Sequence, residues 1–288
     1  MIKLLNLFRQ IQIHPLLWVV MGLAIITAHF MELSLLLLII FIHEMGHAAA
    51  AALFSWRIKR IVLLPFGGVA EMDEHGNRPL KEEVIVILSG PLQHVWMIAA
   101  AFIAYEFSWI STEMFTLFFQ FNLMILFFNL LPLWPLDGGK LVFLLLSYRY
   151  AFPVAHRKTL LISAVGLVIF FLFILITTPL NINIWIILAF LIFSLYYEWK
   201  QGRYVFMRFL LERHYGKNSD FRTLKPLVVK EEDAVIDVLE KFQRGCKHSI
   251  IVENRGSEKG SLDENELLHA YFSDKILTAK IGDLVYIY

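Results

Sequence analysis

The chain has 288 residues, 58% hydrophobic and only 18% charged, where an average soluble chain carries about 25% charged residues. With 25 Phe and a mean hydropathy of +0.63, these values exclude an ordinary soluble globule and predict a polytopic α-helical membrane protein. A net charge of +1 argues against nucleic acid as a main partner, and the single cysteine, Cys246, excludes an intrachain disulfide and points to reducing surroundings. At the N-terminus, Lys3 and Arg9 precede the apolar run Pro15 to Phe30. This run reads as a retained anchor rather than a signal peptide, because no A-x-A-like cleavage site follows and a second apolar run comes directly after it.

About six transmembrane helices are expected, at Pro15 to Phe30, Ser34 to Phe54, Val84 to Tyr105, Phe115 to Leu136, Thr159 to Pro179, and Ile184 to Tyr197. Lys and Arg collect in the N-terminal segment, between Arg57 and Lys81, between Lys140 and Lys158, and after Lys200. The alternate loops, around Glu32, Glu106 and Asn181, carry none. By the positive-inside rule this places both termini in the cytosol.

Span two contains F-I-H-E-M-G-H, with His43, Glu44 and His47 as its only ionisable side chains between Ser34 and Phe54. An ionisable group at membrane depth costs several kcal/mol unless paired or ligated. On a helix, residues four apart share one face about 6 Å apart along the axis, so His43 and His47 can direct their rings at one point. The pattern H-E-x-x-H reads as two imidazole ligands for zinc with Glu44 as general base on water.

Between spans two and three, Ile61 and Val62, then Pro65, Phe66, Gly67 and Gly68, then Val69, read as a short hairpin at the membrane face. Its edge could pair with an extended peptide; the alternative is a plain surface turn. Span three opens on Ser89, Gly90 and Pro91, chemistry for close packing or a kink. His94 either lines a polar cavity or is a packed histidine bonded to backbone.

Span four ends in Asn129, Pro132, Pro135, Asp137, Gly138 and Gly139, and two prolines and two glycines predict that its helix stops near Leu130. Catalytic zinc takes three protein ligands, and Asp137, the only acid in this segment, is the candidate third. His43 lies about 16 Å before the cytosolic end of its run, so the two can meet in the cytosolic half. The competing reading of Asp137 is a turn residue, since Asp-Gly-Gly is good turn chemistry. Asn129 could bond substrate or a developing oxyanion, or join helices.

From Lys200 the composition becomes charged and mixed, predicting three parts: a membrane domain at 1–198, a linker helix at 199–225, and a small α/β domain at 226–288. In the last, Leu227 to Val229 and Ser249 to Val252 read as strands and Ala234 to Phe242 and Glu264 to Phe272 as helices.

His43-Glu44-Met45-Gly46-His47, with Asn129-x-x-Pro132 and Leu136-Asp137-Gly138, resembles the site-2 protease family of intramembrane zinc metalloproteases, and Ser89-Gly90-Pro91 is similar to the family's third motif. The tail, L-V-V-K-E-E-D-A-V-I-D-V-L-E-K-F onward, resembles one cystathionine-β-synthase (CBS) repeat. The resemblance implies zinc, one ion per chain, on His43, His47 and Asp137, with Glu44 activating water. Substrate contact then falls to Asn129 and Pro135, and to Phe66 and Gly67 of the hairpin. In the family's sporulation branch, the implied substrate is a membrane-associated pro-sigma factor. The implied partners are inhibitory membrane proteins of the same complex, and the implied location is the mother-cell membrane around the forespore. A CBS-like tail implies ATP as a further ligand and a homo-oligomer, since one repeat supplies only part of the usual nucleotide pocket. The alternative from another class is a membrane metal or proton transporter using the His, Glu and Asp cluster. It is disfavoured because such folds repeat their broken helices and only span four is interrupted here.

Overall fold

The computed structural model describes residues 11–13, 15–64, 67–72, 78–216, 223–254, 257–275 and 279–285. Helix α1 (Pro15–Ile26) precedes α2 (Phe30–Leu53), whose apolar run carries the H-E-x-x-H pattern. A hairpin of β2 (Ile58–Leu64) and β3 (Gly67–Met72) follows and is joined by β1 (Ile11–Ile13) in a sheet of order β1-β2-β3. Then come α3 (Leu80–Glu106), α4 (Thr112–Asn129), α5 (Asp137–Arg149), α6 (Phe152–Thr177) and α7 (Ile182–Tyr215).

Among the described residues, four helices, α2, α3, α6 and α7, are long and apolar enough to cross a membrane. Two of the six expected segments differ for physical reasons. Helix α1 has 12 residues, about 18 Å of rise against a hydrocarbon core of about 30 Å. Helix α4 has 18 residues, but Glu113, Gln120, Asn122 and Asn129 dilute its apolar character. It begins on an N-cap, Ser111, whose hydroxyl accepts the Met114 N–H at 3.2 Å, and it stops at Asn129, before the prolines. On α6, Val168, Ile169, Leu172, Phe173 and Ile176 are exposed, as a lipid-facing surface requires.

The chain divides into two compact units: Met1–Asp73, Lys81–Leu141 and Gly166–Leu191 form the first, and Glu74–Leu80, Val142–Val165 and Ile192–Tyr288 the second. In the first unit, α2, α3 and α4 share a core of Ile39, Ile40, Met97 and Ile125. The hairpin packs on the far end of α2 through Ile61 against Ala48. Strands β2 and β3 are antiparallel, Leu64 opposite Gly67 and Val62 opposite Val69, while β1 runs parallel to β2. The strand Ile11–Ile13 has no counterpart in the sequence reading; three residues are too few to signal a strand.

In the second unit, β4 (Leu224–Lys230) lies parallel to β5 (Lys247–Asn254), and β5 antiparallel to β6 (Ser257–Asp263). Helices α8 (Val235–Leu239), α9 (Glu264–Phe272) and α10 (Ile281–Leu284) accompany them. Asp263 caps α9 in a capping box with Glu266. Phe209 and Leu210 of α7, with Leu239, Phe242, Ile250, Leu267 and Leu268, are fully buried. Residues 199–215 of the expected linker helix are helical, continuous with the apolar part of α7 as far as Tyr215, and residues 217–222 of it lie outside the described residues.

Candidate metal centre

One turn of α2 separates His43 from His47, and their rings meet edge to face with centroids 4.8 Å apart. Asp137 arrives from α5, at that helix's first turn, so the Asp-Gly-Gly sequence both turns the chain and delivers a carboxylate. All three are buried, at 2%, 5% and 3% exposure. His43 Nε2 and His47 Nε2 each lie 3.1 Å from Asp137 Oδ2 and 3.1 Å from each other. Four-coordinate zinc with ligand bonds of about 2.0–2.2 Å sets neighbouring donors about 3.3 Å apart. The triangle therefore fits zinc, with two nitrogens and one oxygen converging from one side.

Around this triangle each donor is held from behind. His47 Nδ1 donates to the Val86 carbonyl of α3 at 2.8 Å, which leaves its Nε2 lone pair directed at the cluster. Helix α3 comes this close because Gly90 has no side chain: a Cβ there would sit 2.2 Å from His47 Nε2. His43 Nδ1 lies 3.1 Å from His94 Nε2, and His94 Nδ1 lies 2.9 Å from Asn122 Oδ1 on α4. The second carboxylate oxygen of Asp137 accepts from Lys140 Nζ at 3.1 Å, which reserves Oδ2 for the shared point.

Glu44 is buried at 8% exposure on the same helix. Strand β3 runs against it, for a Cβ on Gly68 would lie 2.3 Å from Glu44 Cγ and 3.0 Å from its Oε1. Gly68→Ala is therefore expected to displace the Glu44 carboxylate while leaving the three donors in place. Cleavage should fall about 10²-fold, as a displacement of about 1 Å can bring, with zinc content unchanged; metal analysis beside a cleavage assay reads both.

The structure thus brings His43, Glu44, His47 and Asp137 together. It does not bring Asn129 into hydrogen bonding with them: its amide donates to Ile125 O of its own helix at 3.0 Å. Pro135 is half-buried between α4 and α5 in sequence, Gly67 pairs with Leu64 at the hairpin end, and Phe66 lies outside the described residues. His94 bonds side chains rather than backbone: it is fully buried between His43 and Asn122. Asn122, Lys140 and the Val86 carbonyl escaped the sequence reading. Asn122 was findable, as a lone amide in the apolar run F-N-L-M-I-L-F-F.

Residues 31–111 and 106–173 match peptidase family M50. Over 283 residues, 98% of either chain, the sequence is 51% identical to Stage IV sporulation protein FB of Bacillus subtilis (strain 168). The chain belongs to peptidase family M50, the site-2 proteases. It is also 32% identical over 140 residues to a zinc metalloprotease of Methanocaldococcus jannaschii, covering 46% of this chain and 40% of that one. The solved site-2 protease from the same organism superposes with a TM-score of 0.53 at 30% identity, over 65% of this chain and 89% of that one. This M50 peptidase is accordingly a zinc metalloprotease with a site-2-protease-like, mostly helical membrane fold, and the transporter alternative is set aside.

Proposed function

We propose that this M50 peptidase cuts a peptide bond of a membrane-associated substrate near the cytosolic face, with His43, His47 and Asp137 holding a single zinc ion and Glu44 as general base. The observation that carries the reading is the 3.1 Å triangle of His43 Nε2, His47 Nε2 and Asp137 Oδ2, with Glu44 one residue along the same helix. When bound, zinc supplies Lewis acidity for the hydrolysis. Glu44 takes a proton from the attacking water and returns it to the leaving amine. Its burial beside Gly68 fixes where that carboxylate can reach. Asn129, once it exchanges Ile125 O for substrate, donates its amide to the developing oxyanion. The strand order leaves β3 at an edge, so an extended peptide added there would run past Glu44. Gly67 then lies under that peptide, and Pro135 is a further substrate contact.

The full-length similarity to Stage IV sporulation protein FB supports a role in sporulation. The substrate is then a membrane-associated pro-sigma factor, cut in the mother-cell membrane around the forespore and restrained beforehand by inhibitory membrane proteins. Charge alternation supports cytosolic termini. The sheet and helices at 224–284 support a CBS-like unit, in which ATP would need a second copy to complete its pocket.

Co-expression with a membrane-associated pro-sigma factor in a non-sporulating host tests this. Wild type is expected to trim the substrate. Asp137→Ala is expected to give no product and to lose its zinc. Trimming by Asp137→Ala would remove the ligand set; trimming of other membrane peptides but not the pro-sigma factor would remove the substrate.

A further inference from the structure

Neutral imidazole presents one donor and one acceptor nitrogen, so a histidine can direct a lone pair at a metal from Nε2 only if its proton sits on Nδ1. For His47 a backbone carbonyl enforces this. For His43, Nδ1 instead meets another imidazole, which could equally donate or accept. What decides the direction lies two residues further out.

Asn122 has its amide nitrogen 2.9 Å from the Phe118 carbonyl, one turn back along α4. A carbonyl only accepts, so this contact orients the side chain and turns Oδ1 toward His94. Oδ1 also only accepts, so His94 Nδ1, at 2.9 Å, carries the proton. His94 Nε2 is then a lone pair, and His43 Nδ1, at 3.1 Å, donates to it. The proton order ends with a lone pair on His43 Nε2, directed at Asp137 Oδ2 and His47 Nε2. His94 and Asn122 are both at 0% exposure, and water does not compete for their bonds.

We infer that His94 and Asn122 are positioning residues: they form a directional relay, Phe118 O to Asn122 to His94 to His43, that sets the metal-binding tautomer of His43. The inference rests on the zinc triad proposed above. It accounts for two buried polar side chains on separate helices that the hydrolysis itself does not use. Neither touches the shared point of the triad; both act through His43.

The test compares two replacements at each position, read by zinc affinity in competition with a chelator on the detergent-purified chain. His94→Phe keeps a ring but offers no acceptor, and zinc binding is expected to weaken about 10- to 100-fold. His94→Gln places an amide oxygen near the former Nε2, and affinity should stay within a few-fold of wild type. A role in packing alone gives the opposite order, since Phe fills the ring's space better than Gln. Asn122→Leu and Asn122→Asp repeat the comparison one step out, and they decide the matter if His94→Phe does not fold: Asp keeps an acceptor and should bind zinc, Leu should not bind it well. Equal affinities within a pair, or Phe binding as tightly as wild type, overturn the relay. A wild-type chain that binds no zinc overturns the triad instead.

Discussion

Glu44→Gln is expected to reduce cleavage about 10²- to 10⁴-fold while zinc content remains that of the wild type. Gln keeps the length and planarity of the side chain, so the approach of Gly68 to its methylene carbon is undisturbed. It loses only the capacity to take a proton. The three donors lie within 3.1 Å of one another without any contribution from Glu44, which gives no reason for the metal to leave. Zinc analysis and cleavage of a co-expressed substrate, made on the same preparation, separate the outcomes. Loss of both would make Glu44 part of the metal's support, and retention of cleavage would place the base elsewhere.

How much of this site could be read beforehand follows from what kind of spacing each residue obeys. His43, Glu44 and His47 sit on one helix, where a fixed rise and turn convert sequence separation into direction. Asp137 lies 94 residues from His43 and was found by chemistry rather than geometry: zinc needs a third ligand, and one acid stood at a broken span. The turn reading does not compete with its place beside His43 and His47, because the turn becomes the first turn of α5. Asn122 and Lys140 were not reached. Asn122 acts at 28 residues' distance through His94, and no periodicity links positions on α3 and α4 before their packing is known. Helix ends behaved likewise. The stop of α4 at Asn129 was legible from the prolines beyond it, whereas the continuity of α7 past Tyr197 was not, since the change there is from apolar to amphipathic and no backbone signal accompanies it. The strand–helix–strand order of the tail was legible from β-branched runs and helical spacing; the buried ion pair within it was not.

That ion pair yields the second large effect: Arg213→Ala is expected to destabilise the second unit by about 3–5 kcal/mol, the usual consequence of stranding one buried partner. Arg213 is fully buried near the end of α7 and grips Glu264 at the start of α9 with two nitrogens, Nη2 to Oε2 at 2.8 Å. It also donates to the carbonyls of Gln243 at 3.0 Å and Cys246 at 2.6 Å, so one guanidinium ties a helix, a loop and the entry to β5. Burial pushes the Glu264 carboxyl up, but the His248 hydrogen bonds and Arg213 outweigh it and hold it at about 2. A carboxyl depressed in the folded state contributes fully above its unfolded value of 4.5 and loses that contribution as pH falls from there toward about 2. Wild type should therefore weaken over that acidic window, and Arg213→Ala should weaken much less there. Cys246, the only cysteine and 7% exposed, reports the opening: burial raises its thiol, so maleimide should label wild type slowly and Arg213→Ala much faster. Arg213→Met with Glu264→Leu removes both charges and should recover only part of the loss, because the His248 N–H, now 2.9 Å from Glu264 Oε2, would be left without its acceptor. Labelling and acid stability in Arg213→Ala equal to wild type would mean that apolar contacts among Phe209, Phe242 and Leu268 hold this unit without the ion pair.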